Sequence, residues 1–124
     1  MNRFFLATLA ALPLLATACQ PRYDGVDLTL INNPPVPPYI DDTQIEIPLG
    51  IAAVVEVEPL SSTRFNYYTD DPLELRSRDP DVLRVEATEN PRQFVLIGVG
   101  VGETCVDIEV LHEDRGCIPA TVTQ

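Results

Sequence analysis

The chain has 124 residues, including 19 acidic residues, 8 arginines and 3 cysteines, and its formal net charge is −11. Neutralising nucleic-acid phosphates requires a basic surface, so this charge argues against a nucleic-acid partner. With 45% hydrophobic residues the chain is not disordered as a whole, and its length corresponds to one domain. Twelve prolines and six glycines favour strands and turns over helices.

The first 18 residues have the three-part pattern of a secretory signal peptide. Arg3 is followed by an uncharged apolar run over residues 4–15, and small residues follow that run. The run is too short for a membrane-spanning helix, which needs about 20 apolar residues. We therefore predict that residues 1–18 are an export signal and not part of the fold.

The signal ends in Leu15-Ala16-Thr17-Ala18-Cys19, which resembles the lipobox of bacterial lipoproteins. The resemblance implies that Cys19 receives a diacylglyceryl group, that the chain is cut before it, and that the new amino terminus is acylated. It also implies a lipid-anchored protein of the cell envelope. Because Gln20 and not aspartate follows the cysteine, it further implies sorting to the outer membrane. Lipoboxes prefer leucine at the position of Ala16. Ordinary cleavage after Ala18 is the alternative, because Ala16-Thr17-Ala18 also fits an A-x-A site.

Residues 19–43 are predicted to form a proline-rich tether. Four prolines between residues 34 and 38 favour an extended polyproline II conformation. A stiff spacer is a simpler interpretation than a ligand for an aromatic groove. The apolar segment 26–31 predicts a short strand docked on the domain edge.

From Gln44 onward the pattern indicates an all-β domain over residues 44–124. About seven short apolar or alternating segments, separated by turn residues, are typical of a small β-sandwich. A core of this size is modest. The predicted strands lie at 45–49, 51–58, 73–77, 82–85, 93–97, 104–110 and 118–122, and a short aromatic stretch lies at 64–68.

Three motifs in this domain resemble the bacterial group 2 immunoglobulin-like domain of invasin- and intimin-type surface proteins. They are Pro48-Leu49-Gly50, the segment 77–85 with its Ser-x-Asp-Pro turn, and Gly100 to Thr104 leading into a strand. The chain lacks the tryptophan that the family often carries near Leu75. The resemblance implies an immunoglobulin-like sandwich and a surface-associated role.

The cysteines divide into one anchor and one pair. If Cys19 is lipidated, Cys105 and Cys117 remain, and an oxidising compartment favours a disulfide between them. A regular hairpin that pairs Val106 with Val122 would separate them by about 20 Å, so the disulfide requires either another register, with residue 111 at the turn centre, or a long loop that folds back.

No constellation predicts catalysis, a cofactor or a metal site. The single histidine, His112, lies in a charged turn, and the glycine repeat 98–102 has the wrong spacing for a dinucleotide site and predicts a hairpin turn. Calcium is an alternative for the aspartates of three predicted loops, although Asp-Asp and Asp-Pro are ordinary turn chemistry. These aspartates are Asp41, Asp42, Asp70, Asp71, Asp79 and Asp81.

The candidate partner contact is formed by Phe65, Tyr67 and Tyr68, because aromatic residues often anchor interfaces. The alternative is that Phe65 and Tyr67 fill the core. The sequence thus predicts a membrane-anchored, non-enzymatic module with a structural or protein-binding role. A carbohydrate- or peptidoglycan-binding module is the alternative function.

Overall fold

A computed structural model describes residues 20–124, and the predicted signal peptide and Cys19 lie outside that range. The described part of the chain is all-β and contains no helix, as predicted. Its nine strands are β1 (Tyr23–Leu30), β2 (Tyr39–Ile40), β3 (Ile45–Pro48), β4 (Ala52–Ser61), β5 (Leu73–Ser77), β6 (Leu83–Ala87), β7 (Gln93–Gly98), β8 (Gly102–Val110) and β9 (Glu113–Thr123).

The strands form two sheets that pack face to face. One sheet has the order β1-β4-β7-β6 and the other has the order β2-β3-β9-β8-β5. β3 runs parallel to β9, and the other neighbouring strands are antiparallel. The sheet β1-β4-β7-β6 corresponds to the A-B-E-D sheet of an immunoglobulin-like sandwich, and β9-β8-β5 corresponds to G-F-C.

The core lies between the sheets and consists of the inward-facing residues, which alternate with outward-facing ones along the strands of both sheets. In β8, Val106, Ile108 and Val110 are buried, as their alternation with acidic residues predicts. Facing strands contribute further aliphatic side chains and one aromatic ring. The largest fully buried side chains are Ile45, Ile47, Leu83, Leu96, Val55, Val57, Val106, Val110 and Val122.

The predicted tether of residues 19–43 is wrong for most of its length, because the sandwich begins at Tyr23 and not at residue 44. β1 pairs with β4 along its whole length, with a bulge at Asp24 and Gly25. Val26 and Leu28 are buried in the core. The strand predicted at residues 26–31 on the domain edge is thus confirmed as β1, although it starts earlier and belongs to the sandwich and not to a tether.

The proline-rich segment is a crossover that carries the chain from β1 in one sheet to β2 and β3 in the other. Asn32 fixes its start: the side-chain amide donates to the Ala52 carbonyl at 3.0 Å and its oxygen accepts from the Val54 amide at 2.9 Å. The segment is therefore part of the fold and does not space the domain from an anchor.

The β8–β9 hairpin adopts a register that differs from the Val106–Val122 pairing and that brings the two cysteines close together. Val106 pairs with Ile118 and not with Val122, and a bulge at Arg115 and Gly116 adjusts the pairing near the turn. Cys105 and Cys117 then lie diagonally across the two strands with their α-carbons 5.7 Å apart, and they form the predicted disulfide.

The glycine segment 98–102 is not a hairpin turn, which corrects the prediction. β7 and β8 belong to different sheets, so this segment crosses between them. It packs tightly: a β-carbon at Gly100 would lie 2.6 Å from the Asp81 carbonyl oxygen, a distance that only glycine accommodates. The amides of Val99 and Gly100 both donate to the Val82 carbonyl.

Two aspartates close turns of the sandwich. Asp79 acts as predicted in the Ser-x-Asp-Pro corner, where its carboxylate accepts from the Asp81 amide. Asp41 closes the β2–β3 turn and accepts hydrogen bonds from the Thr43 hydroxyl, the Thr43 and Gln44 amides, and the Tyr39 hydroxyl. These donors, the Thr43 hydroxyl first, lower the pKa of Asp41 to about 2.

We expect loss of the disulfide to destabilise the sandwich. Replacing both Cys105 and Cys117 by alanine should lower the unfolding free energy by about 3 kcal/mol, because the unfolded chain gains the entropy of an open loop. Urea unfolding measures the change. Reduction of the wild-type protein should reproduce it, and a loss below about 0.5 kcal/mol would contradict the expectation.

We also expect the pKa of Asp41 to depend on Thr43. The pKa of Asp41 in the folded state is below the ordinary value of 3.8. The ionised Asp41 carboxylate therefore stabilises the folded state above pH 3.8, and this stabilisation is lost as the pH falls towards 2. Thr43→Val removes the largest cause and should raise the pKa of Asp41 in an NMR titration of its carboxyl group. Thr29→Val, on the exposed face of β1, is the matched control and should leave that pKa unchanged.

Candidate functional site

The predicted aromatic contact lies at one end of the sandwich, which we call the aromatic end. We define it as residues 20–25, the β4–β5 loop 62–72, the β6–β7 loop 88–92 and the β8–β9 turn region 111–115. The Ser62 amide donates to the Arg22 carbonyl at 3.0 Å, and the Leu111 amide donates to the Pro72 carbonyl at 2.9 Å. These hydrogen bonds join residues 20–25, the β4–β5 loop 62–72 and the β8–β9 turn. We call the loop 62–72 the aromatic loop.

The three predicted contact residues do not share one environment. Tyr67 packs against the core, as the alternative interpretation expected. Tyr68 points outward and is 74% exposed. Phe65 is half-buried, with the Arg64 guanidinium 5.1 Å from its ring centroid. Pro21, next to the chain entry, joins residues 64–68 around a shallow groove of about 270 Å³.

Arg92 supports the aromatic loop from beneath. It is buried, with 7% of its surface exposed, and its Nη2 donates to the Tyr68 carbonyl. Its own backbone is fixed, because its carbonyl accepts from the Val57 amide at 2.7 Å and its amide donates to the Asn90 side chain at 2.9 Å. A guanidinium held by the β6–β7 loop thus sets the position of the outermost tyrosine.

A second cation, Arg115, lies between two tyrosines at this end. Its guanidinium is 5.1 Å from the centroid of the Tyr23 ring, and it forms an ion pair with Glu113 at 2.9 Å. Burial raises the pKa of both Tyr23 and Tyr67, while the positive charge of Arg115 opposes that rise. The tyrosines therefore stay neutral and serve as amphipathic packing groups.

The aromatic loop also bonds to itself. The Asp71 carboxylate accepts from the Tyr68 amide at 2.7 Å, and the Asp71 amide donates to the Tyr68 carbonyl at 3.1 Å. One of the two loop aspartates is therefore committed to turn formation. Residues 68–71 consequently present Tyr68 on a closed turn.

The remaining predicted positions lie elsewhere or outside the described residues. Cys19 is outside the described range. The disulfide of Cys105 and Cys117 is on the outer face of the second sheet, and His112 is exposed in the β8–β9 turn. Within residues 20–124, no three acidic, histidine or cysteine side chains are grouped closely enough to hold a metal ion.

A larger groove of about 360 Å³ follows the open side of the sandwich between β5 and β6. Each of these edge strands carries an exposed ion pair within the strand: Arg76 with Glu74 at 3.1 Å, and Arg84 with Glu86 at 3.1 Å. Charged side chains on an edge strand oppose pairing with another chain. We interpret this side as protected and not as a binding site.

Sequence reasoning missed Arg92 and Arg115, which organise the aromatic end. Arg92 follows Pro91 in a polar turn and is the type of residue that is rarely buried. Arg115 faces Tyr23 only because of the β9 bulge and the β1 pairing. No local sequence pattern predicts the contact of Arg92 with Tyr68 or that of Arg115 with Tyr23, because each contact joins elements that are distant in the sequence.

The solved structures similar to this fold include domains of the S-layer protein SbsC. Domains 4 and 5 of that protein match with a TM-score of 0.55 and 18% identity over 74% of this chain and 54% of that one. Domains 5–6 match with a TM-score of 0.54 and 18% identity over 73% of this chain and 45% of that one. This chain thus spans about half the length of these structures, and the similarity establishes a shared fold.

No protein-family model matches the sequence, and no curated protein matches it. The resemblance to group 2 immunoglobulin-like domains therefore stays a prediction from its three motifs. In residues 20–124 there is also no helix long and apolar enough to cross a membrane.

We predict that Arg92 controls the mobility of the aromatic loop. Arg92→Met keeps much of the side-chain volume but removes the hydrogen bond to the Tyr68 carbonyl, and a bond to a charged group contributes about 1.5–3 kcal/mol. Amides of residues 65–70 should exchange at least about tenfold faster in hydrogen-exchange mass spectrometry.

The matched control is Arg84→Met, which removes an exposed arginine from β6. It should leave exchange in residues 65–70 unchanged. Equal exchange in the two variants would show that the loop does not depend on the buried guanidinium.

Proposed function

We propose that this protein is a lipid-anchored component of the bacterial cell envelope whose β-sandwich is a non-catalytic structural or protein-binding module. The observation that carries the proposal is the junction at Cys19. Cys19, at the end of a sequence that resembles a lipobox, lies four residues before Tyr23, where the β-sandwich begins. The shared fold with domains of an S-layer protein supports a structural role.

The mechanism is retention and display. Lipidation of Cys19 with several acyl chains holds the protein in a membrane, since one chain alone gives only marginal binding. The lipobox with Gln20 after the cysteine favours the outer membrane. The sandwich then presents its loops and outer faces to a neighbouring envelope protein.

The chemistry of the described residues fits a scaffold better than an enzyme. Cys105 and Cys117 are paired in a disulfide, and the carboxylates of Asp41, Asp71 and Asp79 accept hydrogen bonds that close turns. Side chains that carry reactive groups thus hold the fold together.

The glycan-binding alternative requires a face of exposed aromatic rings. Tyr67 packs on the core and Phe65 is half-buried beside Arg64, so Tyr68 is the one fully exposed ring of the predicted three. A single ring is a poor platform for a sugar, and this observation weighs against the glycan-binding alternative.

We expect the intact mass of the membrane-extracted protein to equal Cys19–Gln124 plus acyl chains, in the outer-membrane fraction. Alkylation should add two groups only after reduction, because Cys105 and Cys117 are paired. Cys19→Ser should abolish acylation and move the protein to the soluble fraction.

The matched control replaces Cys105 and Cys117 by alanine, which should keep the acyl mass and the membrane location. An unacylated wild-type mass would overturn the anchoring proposal. Crosslinking in intact cells that recovers no reproducible envelope protein would count against the protein-binding role.

A further inference from the structure

Only a few residues connect residue 19 to the first strand of the sandwich. Arg22 is already fixed, since its amide donates to the Ser61 hydroxyl at 3.2 Å and its carbonyl accepts from the Ser62 amide at 3.0 Å. Pro21 lines the groove with residues 64–68. Two residue steps reach at most about 7 Å, so a lipid attached at residue 19 would be joined to Pro21 by a very short connection.

The surface beside this junction has the chemistry of a membrane interface. Tyr68 is 74% exposed, and the half-buried Phe65 carries Arg64 over its ring. Tyrosine places an apolar ring and a polar tip at the boundary between headgroups and acyl chains. Arginine extends an apolar stem along such a surface and keeps its charge in the headgroup region.

The charge distribution also favours a membrane contact at the aromatic end. The mature chain has 7 arginines and 19 acids, a net charge of −12. The aromatic end holds four of these arginines and six of the acids, a net charge of −2, which leaves three arginines and thirteen acids, or −10, on the rest of the molecule. The end next to the proposed anchor therefore carries only a small share of the net negative charge.

We propose that the aromatic end rests on the bilayer that holds the Cys19 acyl chains, with Tyr68, Phe65 and Arg64 in its headgroup region. This inference rests on the lipidation proposed above. It replaces the expectation of a proline-rich spacer, because residues 31–38 are the crossover between the sheets and give the domain no reach. The sandwich stands directly on the membrane.

Such a contact needs little intrinsic affinity. A short connection to the anchor makes the contact intramolecular, and the effective concentration is then in the millimolar range. A protein partner at this end would have to share the small space that the short connection to residue 19 leaves. These constraints favour the bilayer over a protein as the occupant.

The experiment uses single-tryptophan variants, because the chain has no tryptophan of its own. Tyr68→Trp reports on the aromatic end. Tyr39→Trp is the matched control: Tyr39 is 53% exposed, and its strand pairs through Glu46 with Thr121, near the opposite end. Membrane-extracted proteins are reconstituted into phosphatidylcholine vesicles with brominated acyl chains, which quench tryptophan at the interface.

We expect Tyr68→Trp emission to shift to shorter wavelength and lose intensity in brominated vesicles, while Tyr39→Trp emission stays unchanged. Equal emission of Tyr68→Trp in brominated and unbrominated vesicles would overturn the proposal. A blue shift without quenching would also overturn it, since it would indicate burial against protein. Both variants must keep the wild-type melting temperature, and Thr69→Trp, also exposed, replaces Tyr68→Trp if it does not.

A second preparation separates this proposal from the lipidation itself. The intact mass of each sample tests acylation. If acyl chains are absent, the Cys19 thiol of the mature protein is coupled to maleimide-bearing lipid in the same vesicles, because the disulfide leaves it as the one free thiol. Quenching of Tyr68→Trp there supports the contact although the anchoring proposal fails, and no quenching overturns the contact.

Discussion

The pairing of β1 with β4 determines where the chain enters the sandwich, and most of the molecule's organisation follows from it. Burial of Val26 and Leu28 holds β1 in place, and the first pair of the ladder, Tyr23 with Ser61, brings the N-terminal segment beside the aromatic loop. Because β3 belongs to the other sheet, the chain must then cross between sheets. Proline suits that crossing, since it has no amide hydrogen to satisfy outside a ladder.

Stability is distributed unevenly between the core and the aromatic end. Each fully buried aliphatic side chain in the core, such as Leu83 or Leu96, contributes about 1.5–3 kcal/mol. The aromatic loop instead depends on the buried Arg92, the Asp71 turn and the packing of Tyr67. Segments with few buried apolar contacts open at lower free energy than the core. The aromatic loop is therefore expected to open at a lower free energy than the core.

The sequence predicted what alternation and local chemistry control. The strand at 73–77 has the predicted bounds, β8 buries the predicted face, and the Asp79 corner is formed as expected. Alternation reports which face of a strand is buried, and each of these features is local.

The errors concern features that depend on distant partners. The glycine segment 98–102 was predicted as a hairpin turn, but whether consecutive strands share a sheet is not encoded in the turn residues alone. The β8–β9 register depends on a two-residue turn at Leu111 and His112, both with positive φ, and on the bulge at Gly116. The candidate site was therefore located by its aromatic residues, while the arginines that position it became visible only in the fold.

Charge and length together explain why a strongly acidic domain can stand on a membrane in the proposed orientation. β9 has 11 residues and spans about 33 Å at about 3.3 Å per residue. Charges are screened beyond about 8 Å at physiological ionic strength, so acids far along the sandwich contribute little repulsion at the lipid surface. In the proposed orientation the net charge of the whole chain therefore matters less for lipid contact than the charges that lie close to the lipid surface.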